Sequence, residues 1–126
     1  MMLRIAICDD NIYFLEQIHR LTQAALLRLD DSLEPMIETY DDGIHLVEKI
    51  RDGSRYDIVL LDWDMPILGG EATGQALRVL DNECLIIFIT ALGVLSDLKI
   101  PCDDPGVLRL CGFSHTWPVL YMCRLI

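Results

Sequence analysis

Lysine is nearly missing from this chain. Of its ten basic residues only Lys49 and Lys99 are lysines, and twenty acids outweigh them for a formal net charge of −10. So sparse a set of cations forms no positive stripe to neutralise a run of phosphates, and direct DNA or RNA binding by this chain is not expected. Long apolar runs are missing too. None reaches the roughly 18 residues of a bilayer span, and the most apolar late stretch, VLRLCGFSHTWPVLYMC, is broken by Arg109, His115 and Pro118, so no membrane association is expected. The amino terminus, MMLRIAICDD, meets acid too soon for the apolar region and cleavage site of a signal peptide, which points to the cytoplasm. Cysteine pairs at metal or redox spacing are also lacking. Cys8, Cys84, Cys102, Cys111 and Cys123 form no CxxC motif and no Cys/His zinc pattern, and read as reduced structural thiols.

What is present is enough apolar material for a core: hydrophobic residues make up 52% of 126 positions, the size of one domain spanning 1–126. LRIAIC, Leu3 to Cys8, reads as a buried strand that stops at Asp9 and Asp10, with Asn11 as a helix N-cap. Ile12, Leu15, Ile18, Leu21, Ala25 and Leu29 then recur at three- and four-residue steps, predicting an amphipathic helix. Glu34-Pro35 is a break, Met36 to Tyr40 alternates like a strand, and Asp41-Asp42-Gly43 is a turn before a helix from about Ile44 to Arg51. Tyr56 to Leu61 is apolar almost throughout, as a strand buried on both faces would be. A loop through Pro66 and Gly69-Gly70 leads to a helix over Glu71 to Leu80, and Leu85 to Ile89 is a fourth buried strand ending at Thr90.

Alternating strands and helices of this kind predict an α/β fold with right-handed crossovers and a parallel sheet covered on both faces. Sites in such sheets lie beyond the carboxyl ends of the strands, where strand order reverses. Asp9 and Asp10 follow the first strand, Asp62 ends the third and Thr90 ends the fourth, so all four meet on one rim if the first and third strands are neighbours. Three crowded carboxylates repel one another unless a cation sits among them. A hard divalent ion such as Mg²⁺, held by a few carboxylates and a phosphate, is the expected solution. With that charge screened, Asp62 can attack a phosphoryl donor as a carboxylate nucleophile, and Thr90 can hydrogen-bond a phosphoryl oxygen.

The pieces ICDDN, VLLDWDMP and FITA, in this order and at the ends of alternate strands, resemble the receiver domain of two-component response regulators. CDDN followed by FLEQI looks most like the LytTR-type branch. The resemblance covers Leu3 to about Ala91 and leaves 92–126 as a divergent tail. It implies a flavodoxin-like, doubly wound parallel sheet of order 2-1-3-4-5, with Asp62 as phosphoacceptor and Thr90 as switch hydroxyl. By the same resemblance Asp9, Asp10, Asp62 and the backbone carbonyl of Asp64 bind Mg²⁺, and the donor is a sensor histidine kinase. Such a chain is not an enzyme beyond its own phosphorylation and dephosphorylation. It would signal by conformational change, commonly toward transcription regulation, through a separate effector protein or as a homodimer.

Plainer readings stand beside these. Acid pairs recur at Asp30-Asp31, Asp41-Asp42 and Asp103-Asp104 and are mostly solvated turns, so Asp9-Asp10 gains meaning only from sharing a rim with Asp62. His19 and His45 read as surface residues on helices, the Asp64 side chain as a solvated loop acid, and Trp63 as either a cover for the site or a large exposed residue. Asp62-Trp63-Asp64 also fits the D-x-D core of haloacid dehalogenase-type phosphatases, in which the second Asp is a general acid. That family carries the motif on its first strand, with Thr or Val two residues on. Receivers also carry a lysine at the end of the fifth strand. Here the corresponding region, VLRLCGF, offers Cys111 and Gly112, with Arg109 near the place of the accompanying aromatic, while Lys99 comes too soon. The tail is then either a divergent fifth strand and last helix or the product of a shifted reading frame. Its departure from the pattern raises a second possibility for the whole chain, a receiver-like interaction module without phosphotransfer.

Overall fold

The computed structural model describes residues 2–90, 107–109 and 119–123, with side chains for residues 2–89. The first strand, β1 (Met2–Cys8), runs into Asn11, whose side-chain oxygen accepts from the backbone N–H groups of Tyr13 and Phe14 at 3.0 and 3.3 Å and so starts α1 (Ile12–Leu29). β2 (Glu34–Tyr40) follows, and Asp42 caps α2 (Gly43–Arg51) in the same way, accepting from Ile44 N–H at 3.1 Å. Gly53, at φ +106°, ends that helix in the left-handed region where only glycine is unstrained. β3 (Ile58–Asp62), α3 (Gly70–Leu80) and β4 (Leu85–Thr90) complete the alternation.

Strand β2 begins at Glu34, two residues before the predicted Met36, and Pro35 lies within it opposite Leu3. An edge strand needs hydrogen bonds on one side only, so a residue without an N–H is tolerated there. The sheet order β2-β1-β3-β4 is parallel throughout, as expected, and β1 lies between β2 and β3. Its alternating side chains feed two cores. Ala6, Cys8, Val59, Leu61, Ile86 and Phe88 pack with Leu46 and Ile50 of α2 and Leu77 of α3. Ile5, Ile7, Leu60 and Ile89 face the other way, against Leu26, Leu15 and Ile18 of α1. On that second face Phe14 and Leu21 of α1, with Ile58, Leu60, Ile87 and Ile89, line an apolar groove of about 450 Å³.

Beyond β4 the expected fifth parallel strand through VLRLCGF is not the neighbour. Two short strands, β5 (Val107–Arg109) and β6 (Val119–Cys123), extend the sheet, and it is β6 that pairs with β4, antiparallel, with Thr90 opposite Val119 and Ile86 opposite Cys123. β5 lies outside β6, with Val107 opposite Cys123. The physical reason is in the residues: VLYMC is an unbroken apolar run able to match β4 along most of its length, while the described part of VLRLCGF, Val107–Arg109, pairs on the far side of β6. An antiparallel neighbour brings its amino end, not its carboxyl end, to the rim. Cys111 and Gly112 lie outside the described residues.

Leu61 is fully buried in the larger core beside the site strand. Leu61→Ala is expected to lower stability by about 2–5 kcal/mol, seen as a lower urea midpoint with an unchanged denaturant slope.

Candidate functional site

The pairing of β1 with β3 sets Cys8 opposite Leu61, so the residues that follow each strand leave the sheet side by side. Asp9, Asp10 and Asp62 meet there, each offering a carboxylate oxygen within 4.8 Å of the others. Asp9 is buried, at 5% exposure, and fixed from two directions. Its N–H donates to the Tyr40 carbonyl at 3.1 Å, and its Oδ1 accepts from Asn11 N–H at 2.9 Å. Asp10 is exposed and Asp62 half-buried, so the cluster opens to solvent on one side. Asp64 lies two residues past Asp62 with its side chain exposed, as predicted. Thr90 ends β4 one residue beyond Ile89, which is paired with Asp62, so its backbone is on the same rim.

Crowding shows in the electrostatics. Burial, and then the charges of Asp9 and Asp10, push the Asp62 carboxyl up to about 7. Asp9 is raised as well, by burial and by Asp10, against the N–H of Asn11 that favours its ionised form. Cys8, directly below, is held as a thiol by burial, reinforced by Asp42, Asp9 and Asp62. Its Sγ donates to Met65 Sδ at 3.5 Å, so it is a packing residue and not a nucleophile. A cluster of hard oxygen donors whose members resist ionisation beside one another suits a hard divalent cation, which would remove the conflict.

Other expectations sort differently. Trp63 does not stand free: half-buried, its ring packs edge-on against Phe88, centroids 5.1 Å apart, against the larger core. His45 is exposed, 3.4 Å from Asp41, as a surface residue should be, while His19 is half-buried on α1. Only half of the Asp41-Asp42 pair is solvated: Asp41 is exposed, Asp42 is not. Asp42 is 3% exposed, and its carboxylate accepts from Ile44, Ile67 and Leu68 N–H groups. Burial raises its pKa, but the three donors outweigh that and hold it below the usual carboxylate range. The signal in the sequence was an Asp placed just before a helix start, an N-cap pattern.

Comparison with known proteins agrees with this geometry. A family model for the response regulator receiver domain matches residues 5–102. A two-component response regulator of Oryza sativa subsp. japonica, ORR41, is 24% identical over 98 residues, spanning 77% of this chain and 72% of its own length. Among solved structures, the Thermotoga maritima response regulator TrrA, in complex with Mg²⁺-BeF, is 28% identical with a TM-score of 0.61 over 77% of each chain. A response regulator receiver protein from Sinorhizobium medicae WSM419 has a TM-score of 0.63 at 17% identity, over 80% of this chain and 77% of that one, a likeness of fold.

A carboxylate pKa raised on folding means that the native state keeps a proton the unfolded chain has lost. The contribution of Asp62 to stability is therefore fully present below its ordinary 3.8 and is lost as pH rises through about 7. In metal-free protein, carboxyl NMR should show Asp62 titrating near 7, and Asp62→Asn should stabilise the fold against urea more at pH 8 than at pH 5. An Asp62 midpoint near 4 would contradict the crowding.

Proposed function

The chain belongs to the response regulator receiver domain family, and on that footing we propose that it accepts a phosphoryl group on Asp62 from a partner histidine kinase. The observation that carries this reading is the convergence of Asp9, Asp10 and Asp62 at one strand rim, with Asp62 at the carboxyl end of a central strand. In the step, a carboxylate oxygen of Asp62 forms a bond to phosphorus as the bond from phosphorus to the donor histidine breaks. Asp62 must be ionised to attack. Asp9, held by Asn11 and Tyr40, the exposed Asp10, Asp62 and the backbone carbonyl of Asp64 would hold Mg²⁺. When bound, Mg²⁺ supplies positive charge against which the anionic donor and the carboxylates can approach. We assign Thr90 as the switch hydroxyl from its place at the end of β4.

The same reading takes residues 1–126 as a single receiver domain with a divergent tail, working in the cytoplasm. CDDN followed by FLEQI supports the LytTR-type branch. Among the described residues no helix is long and apolar enough to cross a membrane. With a charge of −10, output runs through protein contacts, to a separate effector or a second copy, and not through direct binding of nucleic acid. Turnover of phosphate esters is not proposed, since the D-x-D motif lies on β3 and not on a first strand.

One observation favours a second reading, a receiver-like module that no longer takes phosphate. The strand beside β4 is antiparallel and brings its amino end to the rim, where the family presents the carboxyl end of a strand with lysine. A charge-assisted hydrogen bond from that ammonium contributes about 1.5–3 kcal/mol, one to two decades in an equilibrium.

Incubation with Mg²⁺ and acetyl phosphate is expected to add one hydroxylamine-sensitive phosphoryl group, read by intact mass, that is absent without Mg²⁺ and absent in Asp62→Asn. No incorporation at any donor concentration would favour the non-transferring module, and a phosphoryl group on histidine or many turnovers per chain would sink both.

A further inference from the structure

The loop that carries Asp64 is tied down at more points than its length requires. Gly70 N–H donates to the Trp63 carbonyl at 2.8 Å, closing residues 63–70 into a ring, and Thr73 N–H donates to Gly69 at 2.9 Å. A side chain at Gly70 would put a Cβ 2.4 Å from the Asp62 carbonyl oxygen, so the ring is drawn against the site strand itself. The far side of the ring is held from another element. Asp42 Oδ2 accepts from Ile67 N–H at 3.0 Å and Oδ1 from Leu68 N–H at 2.9 Å, while Oδ1 also caps α2 through Ile44 N–H at 3.1 Å. Next to it, Gly43 lets the helix approach: a Cβ there would lie 1.8 Å from Thr73 Oγ1 and 2.7 Å from the Leu68 carbonyl oxygen. Thr73 Oγ1 in turn donates to that carbonyl at 3.3 Å.

A helix cap needs one acceptor oxygen. Asp42 uses both, and two of its three donors belong to the loop 25 and 26 residues away. We propose that Asp42 is a positioning residue for the site: through Ile67 and Leu68 it fixes the loop whose Asp64 carbonyl serves as a metal ligand, and so sets Mg²⁺ affinity without touching the ion. This rests on the reading of Asp9, Asp10, Asp62 and Asp64 as the Mg²⁺ site. A carbonyl ligand on a free loop must be ordered by the ion at the moment of binding, and the cost of that ordering falls on affinity. A loop ordered beforehand by a buried carboxylate carries no such cost.

The test is calorimetric titration of the full chain with MgCl₂, paired with amide hydrogen exchange. Asp42→Ser keeps one oxygen for Ile44 and abandons the loop. Asp42→Asn keeps the shape but turns an NH₂ group toward one loop N–H, and carries the test if the serine variant does not fold. Either is expected to raise the Mg²⁺ dissociation constant about tenfold and to speed exchange at Ile67 and Leu68. Asp41→Asn, the exposed neighbour that removes the same charge, should leave both unchanged. A folded Asp42 variant with wild-type Mg²⁺ affinity would overturn the proposal. So would weaker binding without faster exchange at Ile67 and Leu68, or an equal loss in Asp41→Asn. No Mg²⁺ binding by the wild type would instead overturn the site reading beneath it.

Discussion

Strand β1 pairs in parallel with β3 on one side and with β2 on the other, and the rim is built by that double pairing. Because the pairs are parallel, all three strands present their carboxyl ends to the same edge, and Cys8 stands opposite both Tyr40 and Leu61. The chain that leaves each strand must then share a small volume. Asp9 leaves β1 and Asp62 ends β3, so their crowding follows from the register. Slide β3 by one residue and its apolar side chains would change faces, emptying both cores at once. The hydrophobic pattern of the sheet and the position of the acids are therefore one constraint.

Crowded acids store an unfavourable interaction, and the fold concentrates it. Burial and neighbouring charge hold Asp62 at about 7, where a free carboxylate would be fully ionised. Asp42 shows the opposite solution. More deeply buried, it is kept ionised by three N–H donors, so its charge is spent on holding a loop. Two carboxylates on adjacent rims thus differ in their supply of donors. The one with three donors organises structure, and the one with only the Trp63 N–H suits a cation.

The far edge is governed by apolar surface. β4 needs a partner along its free side, since an open hydrophobic edge invites association. β6 meets that need in the antiparallel sense, which no crossover helix has to link. On the α1 face, Phe14, Leu21 and the outward row of Ile58, Leu60, Ile87 and Ile89 form a groove of aliphatic and aromatic surface.

Much of this was determined by the sequence alone. Apolar runs stopped by acid marked β1 and β3, helical spacing marked α1 from Ile12 to Leu29, and Asn11 marked its start, because local periodicity and capping act within a few residues. The trio Asp9, Asp10 and Asp62 was legible since parallel α/β order alone places successive strand ends together. What tertiary structure decided involves contacts across long stretches of chain. The role of Asp42 depends on Ile67 and Leu68 coming within reach of its second oxygen, and the packing of Trp63 depends on Phe88. The direction of the strand beside β4 depends on which apolar run reaches that edge, and VLYMC and VLRLCGF are both plausible by composition. Pairing free energy along the whole edge, not local propensity, chose between them, and no window of sequence contains that sum.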